Sequence, residues 1–186
     1  IEGITWQEPN EEFSHHEILQ LPWGNYLGIV SKDSIAPIPE GNFEALPFFA
    51  AAGKTEFPWR YDKLVEWDKD TKEIVWDWSS IEHYSMDDFD STLWNFTTLN
   101  NGIVEWTHIN ALYFNEEESS IYISSRHLSR ITKIDYPSGN IIWNMGHQMP
   151  SGEVHFGHDL GFSWQHSLDV NNGNIVFLDN GNKSED

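Results

Sequence analysis

The sequence predicts an all-β protein, a β-propeller of four-stranded antiparallel blades, and three observations carry that prediction. The first is an internal repeat. Leu64–Trp76 aligns without a gap onto Ile131–Trp143, placing Asp68 on Asp135 and Trp76 on Trp143. The second is the meander spelled out between 105 and 145, where short runs of alternating apolar and polar residues are separated by turn residues. The third is composition: aromatics make up 15% of the 186 residues, with 10 Trp, and Asn-Gly and Gly-Asn turns recur. Large rings of this kind fill the space between stacked sheets.

Taken in order, residues 1–12 are acidic and polar and read as an entry strand or edge. Blade one spans 13–80, with its first two strands in Phe13–Val30. A stretch at 33–60 interrupts it. Its four Pro and two Gly predict a long loop rather than a regular strand, folded over one face by the apolar run Phe43–Ala52. Tyr61–Trp78 completes the blade. Ser79–Asn101 reads as an acidic linker. Asp87, Asp88 and Asp90 lie in it without the spacing or the Gly of a calcium loop, so a solvated loop is expected.

Blade two spans 103–146. Its first strand, Thr107–Phe114, carries His108 and Asn110 two residues apart, which on a regular strand puts both on one face. A second strand, Ile121–Ser125, ends in Arg126. A third, Arg130–Asp135, turns through Tyr136–Gly139 into a fourth, Asn140–Met145. A His-rich loop follows, with His147, His155 and His158. His155 and His158 have a zinc-like spacing, although an exposed loop is the simpler reading. Half a blade, 162–180, comes last. Two and a half blades do not close a ring, so the missing blades are expected from the rest of a longer chain or from another copy.

Charge and composition exclude several classes. The net charge of −20, from 30 acidic against 10 basic residues, argues against nucleic acid as a partner. No apolar run is long enough for a membrane span. Cysteine is absent, which removes disulfide and thiol chemistry. Triplets at Asn95-Phe-Thr and Asn182-Lys-Ser have the form of glycosylation sequons and fit export.

The chemistry-bearing residues follow from the repeat. The first strands of the three blades start at His16, His108 and His166, and repeat-equivalent positions at the inner strand converge on a propeller axis. His15 beside His16 leaves that register open by one. Neutral imidazole is a nucleophile and proton carrier near pH 7. Arg126 offers a planar fork for an oxyanion, and Asn110 an amide donor. Two other readings stay open: a non-catalytic propeller that binds a partner, and a metal-dependent hydrolase in which the histidines hold zinc. Arg126 weighs against the latter, because a guanidinium beside a dication is repelled.

W-T-H-I-N at 106–110, S-S-R-H at 124–127, I-D-Y-P-S-G-N-I-I-W at 134–143, and Q-H-S-L with N-G-N-I-V-F-L-D-N-G across 165–181 stand in an order that resembles the bacterial arylsulfate sulfotransferase family. The resemblance covers about 13–181. It implies a six-bladed propeller with a funnel-shaped site on its axis. It also implies an enzyme that moves a sulfuryl group from a phenolic sulfate ester to a phenol by a ping-pong route through a sulfohistidine, with no nucleotide sulfate donor and no cofactor. Residue by residue, it makes His166 the nucleophile, gives His108 and Arg126 catalytic roles, and makes His16, Asn110 and Arg126 substrate-binding. It implies a periplasmic or secreted location. Glu105 departs from the Asp that often precedes the Trp-Thr-His of the family.

Overall fold

The computed structural model describes residues 14–37, 53, 55–85, 87–88, 99–100, 103–146 and 160–181. Twelve strands build it, with single helical turns between some of them. β1 (Ser14–Gln20), β2 (Tyr26–Pro37), β3 (Glu56–Trp67) and β4 (Ile74–Ser79) run as an antiparallel meander. A helical turn, Ser80–His83, follows. β5 (Leu99–Asn100) and β6 (Ile103–Glu105) form a short hairpin whose second strand pairs parallel with β3, Trp59 opposite Val104 and Arg60 opposite Glu105. β3 is long enough to hold β4 along Lys63–Trp67 and β6 at its other end, so this sheet has six strands.

β7 (Ile109–Asn115), β8 (Ser120–Ser125), β9 (Arg130–Asp135) and β10 (Ile141–Gly146) form the second sheet, a four-stranded antiparallel meander. β11 (His166–Asn171) and β12 (Asn174–Leu178) form a hairpin. The protein is all-β, as the repeat and the turn residues predict, and its strand pairs are antiparallel apart from β3 with β6. Among the described residues no sheet closes on itself, and no helix is long and apolar enough to cross a membrane.

The repeat corresponds to structure. Leu64–Trp76 and Ile131–Trp143 fall on the β3–β4 and β9–β10 hairpins, which occupy the same position in their two sheets. The sheets then stack. Leu27, Ile29 and Leu64 from the first meet Ile109, Leu112, Ile121, Ile123 and Ile134 from the second in one buried cluster. Each side chain of this size contributes about 1.5–3 kcal/mol on leaving water. A second cluster, with Tyr122, Ile131, Met145, Phe162 and Leu168, joins the second sheet to the β11–β12 hairpin. The tryptophans stitch these layers. Trp76 donates to the Pro137 carbonyl (2.8 Å) and Trp78 to that of Gly139 (3.1 Å), tying β4 to the β9–β10 turn. Trp143 packs edge-on against Tyr122, and Trp67 is buried with Val30 and Val65. The central consequence is that β7 touches β1 on one side and β11 on the other, so the first strands of all three sheets are neighbours.

Three expectations are corrected. The stretch 33–60 is strand at both ends, in unbroken register from Asp33 opposite Arg60 to Pro37 opposite Glu56. Pro37 ends β2, and Pro58 sits just beyond the part of β3 that pairs with β6, so neither breaks the ladder where it is shared. A two-pronged ion pair from Arg60 to Asp33 (2.8 and 3.0 Å) braces this extension. Residues 38–52, with the whole apolar run Phe43–Ala52, lie outside the described residues. Asp88 does not belong to a solvated loop: it is fully buried and accepts a bond from Arg130 (3.1 Å), also fully buried. Asp87 is exposed, and Asp90 is outside the described residues. So are residues 1–13, His147, His155, His158 and both sequon asparagines. Finally, strand alternation does not place His108 and Asn110. His108 precedes β7 with φ +47°, and the register breaks between Ile109 and Ala111.

Candidate functional site

The site forms where β1, β7 and β11 begin. All three strands carry an irregularity there: register breaks lie after His15, Ile109 and His166, and His16, His108 and Ser167 have positive φ. Left-handed backbone is unusual for non-glycine residues and collects at functional sites. Here it turns side chains out of the pleat toward a common space. His16 and His108 share the feature; in β11 it falls one residue after the histidine, on Ser167.

The five residues expected from the sequence come together. The rings of His16 and His108 meet edge-on with centroids 5.0 Å apart. Arg126 opens a 3-10 turn, Arg126–Leu128, that is moored to the start of β7: Arg126 N donates to the His108 carbonyl (3.0 Å) and His127 N to that of Thr107 (3.2 Å). The guanidinium stacks over Trp164, Cζ lying 4.0 Å from the ring centre. Its Nε is buried and has no hydrogen-bond partner among the described residues. Glu118, in the turn between β7 and β8, pairs with Lys133 (2.9 Å).

His166 is held from behind. Asn110 donates to the Gln165 carbonyl (2.8 Å), and the buried Gln165 amide lies within bonding distance of Ser124 Oγ and of the Ser125 and Arg130 carbonyls (3.0–3.3 Å). His166 Nδ1 lies 3.2 Å from the Trp164 carbonyl, with the Asn180 amide also beside it (3.1 Å). The carbonyl only accepts and the Asn180 amide nitrogen only donates, so Nδ1 serves one of them at a time; with the proton on Nδ1, facing the carbonyl, Nε2 keeps its lone pair. Burial and the nearby Arg126 charge lower the His166 pKa, which favours that neutral, nucleophilic form.

Four neighbours complete the cluster and were not assigned roles from sequence. His127 stacks at 4.6 Å from His108 and 5.2 Å from Trp164. Its Nδ1 lies 2.7 Å from the Glu105 carbonyl and its Nε2 2.8 Å from Arg126 Nη1. Burial, with His108 nearby, drives its pKa down to about 3. Glu105 Oε1 lies 2.9 Å from His108 Nδ1. Burial alone would raise the Glu105 carboxyl, but the contact with His108 outweighs it and holds the pKa below the usual range. On the far side His15 reaches the buried Asp62 (3.2 Å) and touches His16, Nδ1 to Nδ1, at 2.6 Å. Burial opposes the Asp62 carboxylate, yet bonds from His15, the Ile109 amide and Thr107 lower its pKa. His16 is brought to about 4 by burial and by the neighbouring His15 and His108. The signals were faint: a His-His doublet, a histidine after the arginine, and carboxylates inside strand sequence whose partners are distant along the chain.

Glu105, His108 and His127 lie close enough to one another to hold a cation. The donor set argues otherwise, because Arg126 takes the Nε2 lone pair of His127 and the Glu105 carbonyl engages its Nδ1. What the cluster offers is imidazoles around one fixed guanidinium, the groups needed to hold an anionic ester and transfer its charged group. A family model described as Arylsulfotransferase (ASST) matches residues 5–185, nearly the whole chain. The chain belongs to this arylsulfotransferase family, whose membership implies a sulfotransferase acting on small aryl substrates. A search of curated proteins returned no match.

Proposed function

We propose that this site transfers a sulfuryl group from an aryl sulfate to a phenol in two steps through a sulfated His166. The observation that carries the reading is the meeting of His16, His108 and His166 around Arg126, whose buried Nε has no partner among the described residues. A sulfate oxygen would satisfy that donor, and a buried unpaired donor costs about 1–3 kcal/mol until it is satisfied.

In the first step His166 Nε2 attacks sulfur, an N–S bond forms, and the S–O bond to the donor breaks. The aryl oxygen leaves with the electron pair and takes a proton from His108, one of the facing His108–His16 imidazole pair. In the second step the acceptor phenol gives its proton to the same imidazole pair while its oxygen attacks sulfur. The S–N bond breaks and its electrons return to His166. Arg126 neutralises the sulfuryl oxygens in both steps. Asn110 holds the segment before His166 through Gln165 and offers its remaining N–H to the sulfuryl group. The local cation matters because the chain as a whole, at −20, repels an anionic donor at long range.

The neighbouring first strands and face-to-face stacking support reading the sheets as blades of a propeller, with further blades from additional sequence or another copy. We place the enzyme in the periplasm or outside the cell, a location that suits a donor needing no nucleotide. The test is release of nitrophenol from p-nitrophenyl sulfate on addition of phenol. Wild type should show phenol-dependent release, and folded His166→Ala none. Retained turnover in that variant would remove His166 from the role.

A further inference from the structure

The most buried charge at the site belongs to a residue that the sulfuryl chemistry does not use. Asp62 lies in β3, behind His15, with its side chain only 3% exposed. Its Oδ2 accepts from Thr107 Oγ1 (2.7 Å) and the Ile109 amide (2.7 Å), which fixes the carboxylate at the start of β7. Its Oδ1 accepts from Ser31 Oγ (2.8 Å) and faces His15 Nε2 (3.2 Å), which is also 2.8 Å from Ser31 Oγ.

These contacts determine where the protons are. A carboxylate only accepts, so His15 carries its proton on Nε2. The Ser31 hydroxyl spends its hydrogen on Asp62, so its oxygen accepts from the same His15 N–H. A nitrogen–nitrogen contact of 2.6 Å joins one donor to one acceptor; with the His15 proton on Nε2, His15 Nδ1 accepts and His16 donates from Nδ1. The lone pair of His16 is left on Nε2.

The geometry points to Asp62, Ser31 and His15 as positioning residues that set the tautomer of His16 and make its Nε2 the proton acceptor for the incoming phenol. This rests on the sulfotransferase reading and assigns one half-reaction within it. As the phenol O–H breaks, the proton passes to His16 Nε2. The O–S bond forms, the S–N bond to His166 breaks, and the buried Asp62 carboxylate offsets the new imidazolium charge through His15. Burial keeps His16 unprotonated in the resting site. A bound sulfuryl anion raises its proton affinity when the base is needed.

The test separates the half-reactions in the full natural chain, with p-nitrophenyl sulfate as donor and phenols of graded acidity as acceptors. Nitrophenoxide leaves without an acid, so the nitrophenol burst of His15→Phe should match wild type. Transfer to phenol should fall by about tenfold or more, and further for less acidic phenols. Ser31→Ala removes a smaller group and should shift the same ratio in the same direction, which keeps the inference testable if His15→Phe does not fold. Asp62→Asn should follow His15→Phe, although it also disturbs the bonds to Thr107 and Ile109. Wild-type transfer with unchanged dependence on acceptor acidity, or burst and transfer falling together, would overturn the inference. Absence of phenol-dependent release in wild type would instead overturn the sulfotransferase reading on which it rests.

Discussion

Arg126 Nη1 lies 2.8 Å from His127 Nε2. A guanidinium only donates, so His127 is neutral and holds its proton on Nδ1, facing the Glu105 carbonyl. One contact thus orients the cation, fixes a tautomer and occupies the nitrogen that a metal would need. With Trp164 beneath it, the guanidinium is stacked, hydrogen-bonded and still has its Nε for a substrate oxygen.

Replacing Arg126 by Met should weaken aryl sulfate binding roughly tenfold to a hundredfold, the range for losing a charged hydrogen bond. It should also move the acid limb of the rate profile. His166 must be neutral to attack, and Arg126 helps hold its pKa below 6.5. Removing that charge raises the pKa, so activity should fail at higher pH than in wild type. Initial rates against pH check this; an unmoved limb would separate Arg126 from His166.

His127 should make the fold acid-sensitive. Its pKa is about 3 in the folded chain against 6.5 when exposed, because it is buried as the neutral form. The unfolded chain therefore binds the extra proton. The stabilisation is complete above pH 6.5, then falls by about 1.4 kcal/mol per pH unit as pH drops toward 3. Denaturant midpoints at several pH values should show this slope, and His127→Gln should reduce it.

Asp88 and Arg130 form a buried pair with neither side chain exposed. Asp88→Ala leaves the guanidinium without that counter-charge and should cost about 3–5 kcal/mol, measurable by urea unfolding. A change below 1 kcal/mol would mean that other neighbours suffice.

Gly146 ends β10 at φ +132°, where an added Cβ would collide with the Ser129 carbonyl oxygen. Ser129 closes the turn that carries Arg126. Gly146→Ala should therefore destabilise by about 1–3 kcal/mol and raise the KM for donor more than an equally destabilising substitution elsewhere.

The sequence made the sheets legible wherever the pattern was local. The β3–β4 and β9–β10 hairpins each lie within one short stretch, so their likeness survives as an ungapped match. His16, His108 and His166 could be grouped for the same reason, since each stands at or near the start of the first strand of its sheet. What escaped depends on distant partners. Asp88 looked solvated because Arg130, which buries it, lies 42 residues on. Asp62 carried no mark until β3 was laid beside His15 and Ser31, and His127 none until the turn placed it against Glu105. The 33–60 stretch misled because prolines weigh against strand on average, whereas Pro37 and Pro58 occupy ladder positions that tolerate them.

The account is tested most directly by quenching the full natural chain during turnover of p-nitrophenyl sulfate without acceptor, then mapping the modified residue by mass spectrometry. It predicts one sulfuryl group on His166, lost on adding phenol, and absent in His166→Ala. Phenol-dependent turnover with His166 unmodified, or with the group on another residue, would contradict it.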